Sequence, residues 1–398
     1  MTAENGMGAL VPIDEALARL GLADAVRVIP VDSGYPSPKK INLVLTRRWR
    51  GNYLYESSAA TESIVRQIEE GLDANGVERL EGLLVTHCHG DHAGSAGIIA
   101  GRGRPAGERA PIYCHSTGYR YLAHPEVTFL DETYLLFLHR AHWGRFDYSQ
   151  MTADVLEQFP IRKMFATYFR RTPKHALRFV DHGELPAAIT AVHTPGHSLD
   201  CVVYYDEAFG LAVPGDTIIT TGTPDDASTW GFVVPIFTVL GQSYSAGFES
   251  FILTIRRLRR FFEIHDVRVI IPPHGKFAIL DPHAWVKFAE GYFESIYRAL
   301  LDELTDGGPR RDPFVATDVL GRISSAGAHK MSTPSHVFGM LCSLAEEGFF
   351  DMEEDEKTRH VRFTMREVPP EDFMARKLAQ DPGFVPVYSR GGRVAASL

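Results

Sequence analysis

His87, His89, Asp91 and His92 fall within one run, Thr86-His87-Cys88-His89-Gly90-Asp91-His92, directly after an apolar stretch at residues 83–85. Three imidazoles and a carboxylate so close together make a poor core and a good ligand set. Imidazole nitrogen and carboxylate oxygen are ligands of zinc and of first-row ions such as iron. Three later pieces add one candidate ligand each: His197 in Thr194-Pro195-Gly196-His197, Asp216 in Pro214-Gly215-Asp216-Thr217, and His274 in Pro272-Pro273-His274-Gly275. Each follows or ends a β-like stretch. Seven side chains are too many for one tetrahedral ion, and two ions sharing a bridging carboxylate fit better. The other histidines read as ordinary, with His193 and His182, which flank the site segments, as candidates to touch substrate.

Such ligands need a sheet to hold them. An apolar strand ending in a ligand-rich turn puts side chains at a sheet rim, where open α/β architectures place their sites. In an extended segment His87 and His89 share a face and Cys88 points the other way, as a packing residue. Gly90 lets the chain turn, so that Asp91 and His92 aim at a second metal. Strands are expected at 26–31, 42–46, 53–56, 111–114, 189–193, 201–205, 210–213 and 267–271, and helices at 13–20, 61–72, 93–100, 248–262 and 284–304. In the helix 61–72, for example, Ile64, Ile68 and Leu72 recur at helical spacing. Arg256, Arg257, Arg259 and Arg260 close the helix 248–262, where cations complement the helix dipole. The Gly-, Thr- and Pro-rich stretch 220–241 is a candidate site loop.

Between 116 and 185 no strand pattern occurs. The stretch holds Tyr119, Tyr121, Phe129, Tyr134, Phe137, Trp143, Phe146, Tyr148, Phe159, Phe165, Tyr168 and Phe169. So long a segment is not expected to be structureless, and it reads as a helical insertion. Most of its aromatics serve a core, and a few wall an apolar pocket.

Taken in order, the four ligand motifs resemble the metallo-β-lactamase superfamily. The resemblance implies an α/β fold, the αββα sandwich, into which the segment 116–185 would be a helical insertion. It also implies that His87, His89 and His197 bind a first metal, that Asp91, His92 and His274 bind a second, and that Asp216 bridges. Two divalent ions are implied, zinc first, with iron or manganese as alternatives. A water between two such ions has its pKa lowered towards neutrality, and Asp91 is placed to act catalytically as well as to ligate. In Tyr55-Glu56-Ser57-Ser58, Glu56 stands where the superfamily usually has aspartate followed by a small residue and glycine. That departure falls in a supporting position.

Residues 305–309, Thr-Asp-Gly-Gly-Pro, read as the end of a catalytic domain spanning 1–304. Residues 310–381 resemble a winged-helix unit. One helix is expected at 314–323, and another begins at Thr333 and Pro334, carries Val337, Leu341 and Leu344, and stops at Gly348. Strands at 349–352 and 360–363 flank the turn Glu353-Glu354-Asp355-Glu356. A nucleic-acid reader needs cations there, so the unit is expected to pack or dimerise rather than bind DNA or RNA. Residues 382–398 read as a flexible tail. The pattern Thr-Pro-Gly-His-x-x-Asp, ending in Asp200, together with this unit resembles a lactamase-like group that includes endoribonucleases and acyl-thioester hydrolases. The resemblance covers most of the chain but not 116–185.

The bulk numbers exclude several classes. A chain of 398 residues, 44% hydrophobic and 23% charged, is an ordinary globular protein of about two domains. Its four cysteines form no Cys-x-x-Cys pair, and no signal peptide leads it, which suggests a reducing cytoplasm. No apolar run approaches the roughly 18 residues of a membrane span. The net charge of −9 disfavours a dedicated polyanion binder. No Gly-x-Ser-x-Gly motif suggests a covalent serine mechanism. The expected function is a dinuclear metal-dependent hydrolase of an ester, thioester or lactone with a bulky apolar acyl group, on a small-molecule or acyl-carrier-linked substrate, with a homodimer possible. The alternatives on the same ligands are a phosphodiesterase or endoribonuclease and a di-iron redox or oxygen enzyme. Flavodiiron proteins carry glutamate where this chain has His89, and a flavodoxin domain, whose phosphate loop is not seen in this sequence.

Overall fold

A computed structural model describes residues 10–35, 38–49, 51–125, 167–220, 230–231, 246–320, 323, 333–355 and 361–395. Two sheets are stacked with helices on their outer faces. The first has six strands in the order Val26–Asp32, Lys40–Arg48, Gly51–Tyr55, Gly82–Leu84, Ile112–Cys114 and Leu177–Phe179. From Gly51–Tyr55 onward its strands run parallel, with Tyr55 opposite Leu84 and Leu84 opposite Tyr113. The second has eight, in the order Leu10–Pro12, Phe277–Ile279, Val269–Ile270, Leu211–Val213, Val202–Asp206, Ile189–His193, Pro386–Ser389 and Gly392–Ala395.

Strand alternation sorts the core into layers. Val44, Tyr55 and Leu84 of the first sheet meet Val202, Tyr204 and Val213 of the second between the sheets. Leu43, Leu45 and Leu54 face outward onto the helix Glu62–Ala74 through Ile64, Ile68 and Leu72. Thr61 caps that helix by accepting the Ile64 N–H. On the far side Val203 and Tyr205 face the helices Ala246–Ile264 and Pro282–Thr305 through Phe251, Ile255, Phe261 and Phe293. This is the expected four-layer α/β sandwich.

Four expectations need correction. The tail is not flexible throughout: Pro386–Ser389 pairs with Ile189–His193, placing Val387 opposite Val192 and Tyr388 opposite Ala191. Val387 enters the outer core and Tyr388 the inter-sheet core, so this stretch alternates as a strand does. The span 116–185 is not strandless, because Leu177–Phe179 forms the edge of the first sheet. The segment 314–323 is not one helix. Phe314–Val315 is a strand opposite Phe363 and Arg362, and Ala316–Val319 is a 3-10 turn. The arginines of 256–260 are not at a helix end, since the helix continues to Ile264. Arg256 reaches Gln380, Arg257 the His193 carbonyl, Arg259 Glu290 and Arg260 Glu263. They brace neighbouring elements.

The inner part of the expected insertion, with Phe129, Tyr134, Phe137, Trp143, Phe146, Tyr148, Phe159 and Phe165, lies outside the described residues, as does most of the 220–241 loop. Among the described residues no helix is long and apolar enough to cross a membrane, and all four cysteines are free and buried.

The C-terminal elements comprise the strands Phe314–Val315, Phe350–Glu354 and Val361–Met365 and the helices Thr333–Glu346 and Phe373–Ala379. They share one core with the helices under the second sheet. Val337, Phe338 and Leu341 join Phe248, Phe251 and Phe293. An added Cβ on Gly339 would lie 2.5 Å from Phe248, so only glycine permits that approach. Lys377 bridges Glu249 and Glu347, each at 2.9 Å.

Ending the chain at residue 383 tests the role of the added strands. It removes the buried side chains of Val385, Val387 and Tyr388 and uncovers the edge of Ile189–His193. Burying one such side chain is worth about 1.5–3 kcal/mol, so a loss on the order of 5 kcal/mol is expected. Denaturant titration of the truncated chain at full-length stability would mean that these strands do not contribute.

Candidate metal centre

The candidate ligands come from the C-terminal ends of strands in both sheets. Gly82–Leu84, held between two parallel neighbours, leads through Val85 into a bend carrying His87 and His89, then into the short helix Gly90–Ala93 with Asp91 and His92. Gly90 is needed there for closeness rather than for an unusual backbone angle. A Cβ on it would meet Phe169 and Tyr35 Oη, each at 2.9 Å. His197 follows Ile189–His193, Asp216 follows Leu211–Val213 in the 3-10 turn Gly215–Thr217, and His274 follows Val269–Ile270.

The fold gathers all seven residues in two groups. Ligand atoms of His87, His89, His197 and Asp216 lie within 4.8 Å of one another, and so do those of Asp91, His92 and His274. Asp216 reaches both. Its Oδ2 is 3.5 Å from His197 Nε2, while its Oδ1 is 3.3 Å from His92 Nε2 and 3.4 Å from His274 Nε2. Asp91 Oδ2 is 3.4 Å from His274 Nε2.

These residues fit metal. Two ligands about 2.0–2.2 Å from a tetrahedral ion stand about 3.4 Å apart, close to the separations seen. Among the described residues His87 Nε2, Asp216 Oδ1 and His274 Nε2 are buried without a hydrogen-bond partner, which is costly for polar atoms unless something binds them. Ring tautomers are set from behind. His274 Nδ1 donates to the Lys40 carbonyl at 2.8 Å, which turns Nε2 toward the site. The Thr86 hydroxyl donates to Glu56 at 2.5 Å, so its oxygen can accept from His87 Nδ1 at 3.1 Å. Glu56 Oε1 also faces His92 Nδ1 at 3.2 Å. Glu56 thus fills the supporting position where the superfamily has aspartate, and serves both ligand groups. Its backbone is left-handed (φ 69°), as is that of Ser58 (φ 60°), a conformation costing about 1–3 kcal/mol in a residue other than glycine.

The electrostatics agree. Burial, reinforced by neighbouring imidazoles, pushes His87 and His89 far below the ordinary histidine value, keeping their rings neutral. Burial opposes charge on Asp216, but His92 and His274 outweigh it and hold that carboxyl well below the usual range. For His92, burial is outweighed by Asp216, Asp91 and Glu56, and its pKa is raised.

His193 and His182 lie outside both groups. His182 is largely exposed. His193 Nε2 donates to the Leu199 carbonyl at 2.8 Å, and its ring stacks on His115 with centroids 4.3 Å apart. Burial, then His115, pushes its pKa down to about 3. The unfolded chain therefore takes up a proton below about pH 6.5 that the folded chain refuses until about pH 3, and stability falls as pH drops through that window. In metal-free protein His193→Gln is expected to lose less stability than wild type between pH 7.5 and 4.5, measured by urea midpoints. Equal losses would show that His193 is not a source of acid lability.

Supporting residues were harder to see in the sequence. Asn42 holds the His274 loop by donating to the Pro272 and Gly275 carbonyls at 3.1 and 2.8 Å. A lone amide between apolar Ile41 and Leu43 was its signal. Asp200 is buried with Ser198 and Cys88, and burial raises its carboxyl to about 6.

A family model described as the metallo-beta-lactamase superfamily matches residues 52–251. Among solved structures, a metallo-beta-lactamase family protein of Thermus thermophilus is 21% identical with a TM-score of 0.59, over 86% of this chain and 99% of its own. A beta-lactamase domain protein of Burkholderia ambifaria is 19% identical, also with a TM-score of 0.59, over 86% of this chain and 92% of its own. These matches share a fold and extend beyond residues 1–304, which alone could not supply that coverage. No curated protein matches the chain.

Proposed function

Because the chain belongs to the metallo-beta-lactamase superfamily, we propose that it is a dinuclear metal-dependent hydrolase of a carboxylic ester, thioester or lactone with a bulky apolar acyl group. The observation that carries this reading is Asp216, which offers one carboxylate oxygen to each of two buried ligand groups. In it His87, His89 and His197 would hold one ion and Asp91, His92 and His274 the other, with Asp216 shared between them. Zinc is the first choice, and iron and manganese suit the same donors. Two such ions, when bound, supply hydroxide near neutral pH and polarise the carbonyl oxygen.

The chain's own residues do the rest. Without metal, His92 and His274 outweigh the effect of burial and hold the Asp91 carboxyl below its usual range; in this reading Asp91 accepts or relays the proton of the attacking water. Glu56, Thr86 and the Lys40 carbonyl fix the imidazoles, so little reorganisation is needed as charge develops. The aromatic residues beside the ligand turn support an apolar acyl group: Phe169 and Tyr35 abut Gly90, and Tyr35 packs on Tyr168 with centroids 5.2 Å apart. Glu353, Glu354 and Asp355, with the net charge of −9, speak against a nucleic-acid substrate. A small or acyl-carrier-linked substrate in the cytoplasm suits these features, and the 310–381 unit serves packing.

Zinc-reconstituted protein should be assayed on short- and long-chain p-nitrophenyl esters, acyl thioesters, lactones and RNA. Long-chain acyl substrates are expected to be favoured at least about tenfold in kcat/KM, as several buried methylenes allow. RNA cleavage without acyl cleavage would replace this reading by the phosphodiesterase. Oxygen consumption by an iron form that hydrolyses nothing would replace it by the redox enzyme.

A further inference from the structure

Asp200 is a buried carboxylate that the proposed chemistry does not use. Removing a charge from water is costly, and such groups persist where something else requires them. Its surroundings indicate what that is. The Ser198 hydroxyl donates to its Oδ1. The Cys88 thiol, the Cys88 backbone N–H and the Asp200 N–H lie beside the same carboxylate and favour its charged form. A Cβ on Gly118 would lie 2.4 Å from its Oδ2, so the turn Ser116–Gly118 closes the space from a third side.

The placement of these donors matters. Cys88 lies between His87 and His89, on the turn from the first sheet. Ser198 directly follows His197, on the turn from the second. The Val202 N–H also donates to the Thr86 carbonyl at 3.0 Å, a backbone link between the same turns. The three histidines of one ligand group thus come from separate sheets, and a single carboxylate is bonded to the residues that adjoin them. No corresponding contact to Asp200 occurs from Asp91, His92 or His274 among the described residues.

We infer that Asp200 is a positioning residue that fixes His87, His89 and His197 relative to one another, and so sets the affinity of the first ion and not of the second. This rests on the two-ion reading above. The carboxylate offers acceptors only, and every partner named is a donor. Asp200→Asn keeps the shape but turns one oxygen into an NH2 that opposes those donors. Partners behind metal ligands typically tune affinity by about 10–100-fold.

The test is a chelator-competed Co2+ titration in two backgrounds. His274→Ala leaves the first ligand group complete, and His197→Ala leaves the Asp91, His92 and His274 group complete. Asp200→Asn is expected to weaken the remaining ion about 10–100-fold in the first background and to leave it unchanged in the second. Equal loss in both, or none in the first, would overturn the inference. Ser198→Ala removes a single donor, folds more readily, and should give a smaller loss confined to the first background; a loss confined to the second would count against the idea. Amide exchange gives a metal-free readout. The Cys88 N–H should exchange faster in apo Asp200→Asn than in apo wild type, and unchanged exchange would also overturn the role. Wild type titrated alongside separates this inference from the reading beneath it. A wild type that never binds a second ion refutes the dinuclear site, while the Cys88 exchange rate still decides for or against Asp200.

Discussion

Asp216→Ala is expected to hold at most one ion per chain and to lose at least about a thousandfold in kcat/KM, the equivalent of several kcal/mol of transition-state stabilisation. Asp216 is the only one of the seven residues with an oxygen towards each ligand group. Alanine removes both contacts at once. It also removes the largest of the charges that raise the His92 pKa without metal, leaving five histidines and Asp91 to share the space. The fold should survive, because the cores between and outside the sheets contain no part of this residue. Elemental analysis, steady-state kinetics and circular dichroism on one preparation would check all three statements. Two ions retained with near-normal turnover would show that the bridge is not needed.

The second large effect is expected from a glycine. Gly275 has φ +112°, a conformation that side chains rarely adopt, and a Cβ there would lie 1.9 Å from the Thr220 carbonyl oxygen. The obstacle is backbone and cannot rotate away. Thr220 is also bonded to the next ligand loop, its N–H donating to the His274 carbonyl at 3.0 Å. Gly275→Ala must therefore displace His274, Thr220 or both, and strain of this kind costs about 1–3 kcal/mol before the clash is counted. Affinity for the second ion should fall by on the order of 100-fold, while the first ion, held by His87, His89 and His197, is much less affected. Stepwise chelator competition reads both constants. Unchanged affinity at the second site would mean that the loop relaxes without moving His274.

The cluster of candidate ligands was legible in the sequence because metal binding demands particular residue types. Few other pressures put His87, His89, Asp91 and His92 in one turn and then place His197, Asp216 and His274 after β-like stretches. Longer strands rich in apolar and β-branched residues, such as 42–46 and 189–193, were legible because they are buried on both faces. The rest depends on meetings distant in sequence. Pro386–Ser389 looks like tail because a short strand starting at proline has little periodicity of its own, and becomes a strand only beside Ile189–His193. Leu177–Phe179 is three residues long and needs Ile112–Cys114 to pair with. The arginines of 256–260 suggested a helix end because their partners, among them Gln380, Glu290 and the His193 carbonyl, lie elsewhere in the chain. Gly90 was read as a hinge, and its actual constraint is the approach of Phe169 and Tyr35. Asp200 was visible in its motif, but its donors at positions 88 and 198 meet only in the fold.

The central claim is that one chain holds two ions through these seven residues, and the most direct measurement is the metal content of purified wild-type protein before and after reconstitution. Two divalent ions per chain are predicted, both removed by a strong chelator and both restored by added zinc. No more than one ion per chain after reconstitution would contradict the account.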